Sequence, residues 1–299
     1  MGRARVGARR RAWVDDGQRV GRSVSLAAYA KLNLALAVVG KRDDGYHELR
    51  SVFARIALSD DVRVAAHRRL EVRNTSKVAD EIAARAVIAL AAATGHEPHA
   101  FVRIRKRIPI AAGLGGGSSD AAAVLRALAS LWKVDADLLK VAAEVGSDVP
   151  FFASGSPVAL VSGRGEHVRP LRTPSDPLFA VVLRPTLRLA TRDVFAAYAP
   201  DDRGAAAHVD AMATAFERGV VTPDLLRVHA ANDLLAAATR RCEAIASWQA
   251  TAAARGVALF LTGSGPTLFA IADDRPDALR VARILRRAGL RAHAYQLAS

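Results

Sequence analysis

The chain reads as an α+β protein of two lobes, and three features predict it. Strand-like and helix-like segments are interspersed without strict β-α alternation, which disfavours a doubly wound sheet. At 299 residues and 51% hydrophobic, the chain has enough apolar material for more than one core. The proline-rich stretch Pro170–Pro177 then breaks the pattern, giving a first lobe at 23–172 and a second at 173–299.

The elements follow in order. Leu26–Val39 is mostly apolar and is expected as a pair of strands broken by Gly40, and Lys41–Tyr46 is a charged turn with Asp-Gly at its centre, a hairpin signal. Val52–Ala65 and Leu70–Arg73 alternate as strands do, and Val78–Thr94 has helical character closed by Gly95. Phe101–Arg107 alternates apolar and basic residues, the pattern of a half-exposed strand. Helices are expected at Ser119–Leu131 and Asp135–Val145, then strands at Pro157–Val161 and His167–Pro170 around Gly163-Arg-Gly165. Beyond the proline-rich stretch come a strand at Phe179–Arg184, a helix at Thr191–Tyr198, a short element at Pro223–Val228 and one long helix at Asp233–Ala253. Strands at Val257–Thr262 and Leu268–Ala272, a helix at Pro276–Ala288 and a strand at Arg291–Gln296 complete the order.

Composition excludes several classes. No apolar run approaches the ~18–20 residues that cross a bilayer. A single cysteine, Cys242, rules out an internal disulfide, suits a reducing, cytoplasmic compartment and reads as a small buried hydrophobe inside a helix. Eight histidines lie scattered without zinc-ligand spacing, so no metal-ligating residues are assigned. The net charge of +14 invites a nucleic-acid reading, but residues 1–22 hold seven arginines against Asp15 and Asp16, a net of +5 that leaves +9 for the rest. That segment lacks a secretory apolar stretch, and its adjacent aspartates and few serines disfavour a transit peptide. It reads as a basic, disordered extension. A basic surface also suits an anionic nucleotide.

The most informative segment is Pro109–Asp120, P-I-A-A-G-L-G-G-G-S-S-D, which runs directly into the alanine-rich helix-forming Ala121–Leu131. Four glycines in five positions allow φ > 0 turns and close approach of backbone to a ligand. Ser118, Ser119 and Asp120 are all suited to an N-cap or first turn. A glycine loop feeding a helix N-terminus offers unpaired N–H groups and the positive dipole end to a phosphate. No lysine follows Gly117, which excludes a P-loop, and Ser118 stands where the dinucleotide fingerprint needs its third glycine.

Residues Pro109–Ala121 resemble the second motif of the GHMP kinase superfamily, P-x-x-x-G-L-G-S/G-S-S-[AD]-A. Ala30–Asn33 (A-K-L-N) is similar to its first motif and Leu261–Ile271 (L-T-G-S-G-P-T-L-F-A-I) to its third. Asp44–His47 (D-G-Y-H) and Gly146–Phe152 (G-S-D-V-P-F-F) resemble segments of one branch of the superfamily. The resemblance implies a two-lobed GHMP kinase fold with its active site in the cleft between the lobes. It implies ATP with Mg²⁺ held mainly by the nucleotide, and a small-molecule acceptor in which a cytidine diphosphate carries methylerythritol. A monomer or homodimer is expected, without nucleic-acid or membrane partners.

The resemblance also distributes roles. Pro109, Ile110, Ala111, Ala112, Gly113, Leu114, Gly115, Gly116, Gly117, Ser118 and Ser119 become the ATP cradle, with the serine hydroxyls toward the β- and γ-phosphates or Mg²⁺. Asp148 becomes the catalytic base; local sequence alone allows a solvated turn aspartate equally. Lys31 sits in an apolar stretch, where an unpaired ammonium is costly, and becomes its catalytic partner. Asn33, two residues on and so on the same strand face, is assigned to the substrate or Asp148. Tyr46 and His47 would bind the cytidine moiety and Phe195 would stack on the other face of the base, with Thr191 nearby. Asn232-Asp233 is expected to cap the long helix. Two positions depart from the pattern: Asp80-Glu81 stand where relatives often place asparagine for adenine, and Pro266 removes one N–H from the third motif. A homoserine or mevalonate kinase-like enzyme is the alternative within the superfamily, and a basic nucleic-acid-binding protein the alternative outside it.

Overall fold

The computed structural model describes residues 12–15, 18–43, 45–76, 78 and 80–298. In chain order the elements begin with strands β1 (Ala12–Asp15), β2 (Gln18–Lys41), β3 (His47–Ala66) and β4 (Glu71–Asn74), helix α1 (Glu81–Thr94) and strand β5 (Ala100–Arg105). Helices α2 (Gly116–Trp132), α3 (Leu138–Val145) and α4 (Val149–Ser154) precede strands β6 (Val158–Gly163), β7 (His167–Pro170) and β8 (Leu178–Leu183). Then come α5 (Thr191–Ala197), a 3₁₀ turn at Pro200–Asp202, α6 (Ala206–Arg218), α7 (Pro223–His229), α8 (Leu235–Arg241) and α9 (Ala244–Ala253). Strands β9 (Phe260–Leu261) and β10 (Leu268–Ala272), helix α10 (Arg275–Arg287) and strand β11 (Ala292–Leu297) close the chain.

The elements fall into two compact units that interleave along the sequence. The first contains the described residues up to Ala28, Ser59–Arg107 and Gly116–Ser154; the second contains Tyr29–Leu58, Ile108–Gly115 and Gly155 onward. Pro170–Pro177, expected as the boundary, therefore lies inside the second unit.

In the first unit, Asp61–Ala66 of β3 pairs antiparallel with β5, and β5 pairs parallel with β4. Four helices pack there, α1 on α2 and α3, and α4 on α2 and α3. Close approach explains the alanine content of α2: Ala121, Ala122, Ala123 and Ala127 are all buried. Gly117 and Gly146 continue that logic, because a Cβ on either would stand 3.2 and 3.3 Å from Ile82 of α1. Asp80 caps α1 by accepting from the Ala83 amide, and Gly95 ends it in the left-handed conformation.

In the second unit, β6 pairs antiparallel with Leu49–Ala54 of β3 and with β7. Strand β8 lies between β10 and β11, both antiparallel to it. Helix α10 is strongly amphipathic and turns Ala278, Val281, Ala282 and Leu285 inward against β8, β10 and β11. Phe216 of α6 and Phe269 of β10 are fully buried in the same core. Truncating either to alanine removes a side chain worth about 3–5 kcal/mol.

Several expectations need correction. Leu26–Val39 is not a strand pair but the inner part of one 24-residue strand that continues through Gly40. Part of the basic segment at 1–22 is a β-ladder, with 12–15 paired against 18–22; residues 1–11 and 16–17 lie outside the described residues, as does Asp44 of the expected turn. Helix α6 has no counterpart in the sequence reading. The single helix expected at Asp233–Ala253 is two, broken where Cys242 leaves helical geometry at φ −148°, ψ 88°. Cys242 is accordingly half-buried at a helix end rather than enclosed.

Asn232 Oδ1 accepts from the Leu234 amide (2.9 Å) at the entry to α8, as expected of a cap, but Asp233 does something else. The Asp233 carboxylate, 4% exposed, accepts from three main-chain amides: Val38 (2.8 Å), Gly204 (2.8 Å) and Ala205 (2.7 Å). Removing it leaves the buried Val38 and Ala205 amides and the part-buried Gly204 amide without that acceptor, each buried group costing about 1–3 kcal/mol. Asp233→Ala is therefore expected to lose at least ~2 kcal/mol in urea unfolding. A loss below ~1 kcal/mol would show that water replaces the carboxylate freely.

Candidate active site

Three of the sequence motifs converge in the second unit. The Lys31 amide donates to the Leu114 carbonyl (3.0 Å), joining β2 to the glycine loop. The Asn33 amide donates to Thr262 Oγ1 (2.9 Å), joining β2 to the third motif. Glycine loop and third motif meet backbone to backbone: a Cβ on Gly113 would sit 2.4 Å from the Thr262 carbonyl oxygen, and one on Gly263 would sit 3.0 Å from the Gly113 carbonyl oxygen. Gly113 also holds φ +77°. This glycine is thus required for packing against protein, not only for approach to a ligand.

Lys31 is 3% exposed. Its Nζ donates to Asn33 Oδ1 (2.5 Å) and lies 4.6 Å from the centre of the Phe53 ring. Asn33 Nδ2 donates to Ser51 Oγ (2.9 Å), and Ser51 Oγ donates to the Ala35 carbonyl (2.6 Å). Asn232 Nδ2 donates to the carbonyls of Leu261 (3.0 Å) and Gly263 (2.9 Å), bracketing Thr262. Thr191, at the exposed start of α5, shares a hydrogen bond with Ser264 Oγ (2.9 Å).

Gly116–Ser119 and Asp148 belong to the first unit. Helix α2 begins at Gly116, so Ser118 and Ser119 stand within its first turn instead of capping it; Ser119 is buried. The first amides of a helix have no intrahelical acceptor, and here they follow Gly115 at φ +69°. Asp148 is half-buried and directly precedes α4, whose Val149, Pro150, Phe151 and Phe152 are all buried. The glycine-serine loop thus divides between units: Pro109–Gly115 belongs with Lys31, and Gly116–Ser119 with Asp148.

A charged cluster that sequence reasoning missed flanks this loop. Lys106, just after β5, bonds Asp60 through Oδ2 (2.6 Å) and Asp120 of α2 through Oδ2; the Arg107 amide donates to Asp60 Oδ1. Asp60 and Asp120 are fully buried. Burial pushes the Asp120 carboxyl up to about 8, with Asp60 and Asp80 adding and Lys106 opposing. Burial opposes the Lys106 charge as well, but Asp120 and Asp60 outweigh it and hold its pKa above the ordinary range. Asp80 is also raised, first by burial. The period-2 pattern through Lys106 and the aspartate after Ser119 were both visible; their juxtaposition was not.

The aromatic residues meet differently from expectation. His47 stacks directly on Phe195, ring centres 4.9 Å apart and planes at 22°, and Tyr198 stands edge-on to His47 at 5.6 Å. At that spacing the two rings cover each other's faces, leaving no gap between them in this arrangement. Tyr46 is exposed, with the Arg164 guanidinium 5.5 Å above its ring. Burial, then Lys41 and Arg203, lower the pKa of His47 and so favour its neutral imidazole. Among the described residues, no group of three or more His, Cys, Asp or Glu could hold a metal ion, and no helix is long and apolar enough to cross a membrane.

Comparison with known proteins agrees with this layout. The family model for the GHMP kinases N terminal domain matches residues 81–156, and that for GHMP kinases C terminal matches 214–290. A 4-diphosphocytidyl-2-C-methyl-D-erythritol kinase of Pelotomaculum thermopropionicum is 35% identical over 88% of this chain and 94% of its own length. The enzyme of that name from Thermus thermophilus is 37% identical over 87% and 91%. A crystal structure of 4-(cytidine 5'-diphospho)-2C-methyl-D-erythritol kinase superposes with a TM-score of 0.74 at 36% identity, covering 92% of this chain and 99% of that one. Homoserine kinase from Cytophaga hutchinsonii shares the fold, with a TM-score of 0.68 at 18% identity and coverage of 92% and 94%.

Two outcomes are expected from this geometry. Gly113→Ala forces a Cβ into the Thr262 carbonyl and strains φ +77°, so it should destabilise by about 2 kcal/mol or more in denaturant unfolding. A neutral substitution would mean the two backbones separate easily. Asp120 binds more protons folded than unfolded between its ordinary carboxyl range and about 8, so its contribution to stability falls as pH rises through that window. Melting temperatures from pH 5 to 9 should show this slope in the parent, and Asp120→Asn should flatten it. An unchanged slope would remove Asp120 as its source.

Proposed function

The chain belongs to the 4-diphosphocytidyl-2-C-methyl-D-erythritol kinase family within the GHMP kinases, and from that membership we propose that it transfers the γ-phosphoryl group of ATP to the 2-hydroxyl of 4-diphosphocytidyl-2-C-methyl-D-erythritol. The products are the 2-phosphate and ADP, a step of the non-mevalonate route to isoprenoid precursors. The observation that supports this most is the bonding of the Lys31–Asn33 strand to both the glycine loop and the Thr262–Gly265 turn, the three motifs of the superfamily gathered at one place in the second unit.

Phosphoryl transfer asks a protein chiefly to position and to neutralise charge. The first-turn amides of α2 with the Ser118 and Ser119 hydroxyls suit the triphosphate, since a helix N-terminus favours anions. Mg²⁺ carried by the phosphates would neutralise charge developing on the transferred group. Asp148 accepts the proton of the acceptor hydroxyl as its oxygen forms a bond to the γ-phosphorus and the bond from that phosphorus to the β-γ bridging oxygen breaks. Lys31 supplies positive charge that polarises the hydroxyl. Tyr46 offers an exposed ring face to cytosine, and neutral His47, braced by Phe195, offers a ring nitrogen to its edge. Thr191, tied to Ser264, lies at the start of the helix that carries Phe195.

A coupled ADP-release assay with a panel of acceptors tests the reading. Turnover is expected with the cytidine-linked acceptor and not with homoserine or mevalonate, and its uridine analogue should bind more weakly by about 1–3 kcal/mol for each mismatched polar group. Turnover of homoserine or mevalonate instead would overturn the substrate assignment. Asp148→Asn should lower kcat by about 10²–10⁴ while ATP binding stays within a few-fold. Activity within tenfold of the parent would remove Asp148 as the base.

A further inference from the structure

We propose that Thr262 is a positioning residue for phosphoryl transfer: its hydroxyl fixes the side chain of Asn33, which in turn fixes the ammonium of Lys31. The proposal rests on the role given to Lys31 above. Its geometric basis is a chain of hydrogen bonds in which each donor and acceptor is determined by the next.

The reasoning starts at the far end. Ser51 Oγ gives its one proton to the Ala35 carbonyl (2.6 Å), so toward Asn33 it can only accept. The atom of Asn33 that faces it at 2.9 Å must therefore be the Nδ2 amine. That choice turns Oδ1 the other way, where Lys31 Nζ donates to it (2.5 Å) and Thr262 Oγ1 lies at 3.4 Å. Thr262 Oγ1 already accepts from the Asn33 amide (2.9 Å), which directs the hydroxyl proton toward Oδ1. Thr262 thus grips Asn33 at main chain and side chain together.

These four side chains are all buried, Lys31 at 3%, Asn33 at 2%, Ser51 at 2% and Thr262 at 0%. Away from water, an amide that loses its partner reorients instead of exchanging it for solvent. Thr262 itself is held on all sides. Its amide donates to the Thr267 carbonyl (3.2 Å), its carbonyl accepts from Gly265 (3.0 Å), and Asn232 holds the carbonyls on either side of it. The third motif, remote from Lys31 by more than two hundred residues, is in this way the template against which the first is set.

Kinetics on isosteric variants test the proposal, with rates normalised to folded enzyme. Thr262→Val keeps the shape and removes the hydroxyl; kcat should fall at least tenfold while KM for ATP and acceptor stay within about threefold, because small misplacements of catalytic groups act on the chemical step. Thr262→Ser restores the hydroxyl and should return kcat to within threefold of the parent. In an Asn33→Ala background, Thr262→Val should add no further loss, since the relay is already cut. Should Thr262→Val not fold, Thr262→Ala carries the same expectation. A parent-like kcat in Thr262→Val, a Thr262→Ser no better than it, or full additivity with Asn33→Ala overturns the proposal. Lys31→Met separates this from the underlying reading. If Lys31→Met retains turnover, the role of Lys31 fails and Thr262's with it; if it is inactive while Thr262→Val is not, only the positioning role fails.

Discussion

The second unit depends on a contact that only missing atoms permit. Gly113 and the Thr262–Gly265 turn touch main chain to main chain, and any Cβ on Gly113 would lie inside the Thr262 carbonyl. With that contact in place, Leu114 reaches the Lys31 amide and Thr262 reaches Asn33. The loop, the strand and the turn are therefore placed by one another through short, directional bonds whose partners are mostly backbone. Side-chain packing supports this arrangement, with Leu114 and Ala112 buried in the same core as Leu32 and Leu34. A framework of main-chain bonds tolerates changes of side chain around it and resists changes at the glycine.

The glycine loop was legible in the sequence because its signal is local: four glycines, two serines and a helix former in unbroken succession. The helix capped at Gly95, the amphipathic α10 and most strand positions were legible for the same reason. What escaped was long-range. Nothing in the neighbourhood of Asp233 distinguishes a helix cap from a carboxylate that holds three amides from two other segments. The break at Cys242 has no glycine or proline to announce it, and α6 lies in a stretch whose alanines and scattered polar residues give a weak pattern. The stacking of His47 on Phe195 joins the start of β3 to a helix about 150 residues away, and no local pattern signals that the two rings occupy each other's faces.

The charged cluster at Lys106 illustrates a different economy. Two fully buried carboxylates share one ammonium, so the group as a whole is short of positive charge. A proton on Asp120 relieves that shortage, which is why burial raises its pKa so far. The same lysine links the end of β5 to the second turn of α2, the residues that enter and leave the glycine loop within the first unit. The two ends of the loop are thereby joined through a carboxyl whose pKa burial pushes up to about 8.

The hydrogen bond between Asn33 and Thr262 spans 229 positions of sequence, and that between Val38 and Asp233 spans 195. During synthesis, the strand that carries Lys31 leaves the ribosome long before either partner exists. Its Asn33 and Val38 amides meet these partners only after most of the polypeptide has been made. Contacts this distant close late and slowly, because the entropy of a large loop is lost before any bond offsets it. A nascent chain arrested short of Thr262 would thus carry the segments of its glycine loop and of α1–α9, yet lack the hydroxyl that bonds Asn33. The bond between Asn33 and Thr262 can therefore form only within the last eighth or so of translation.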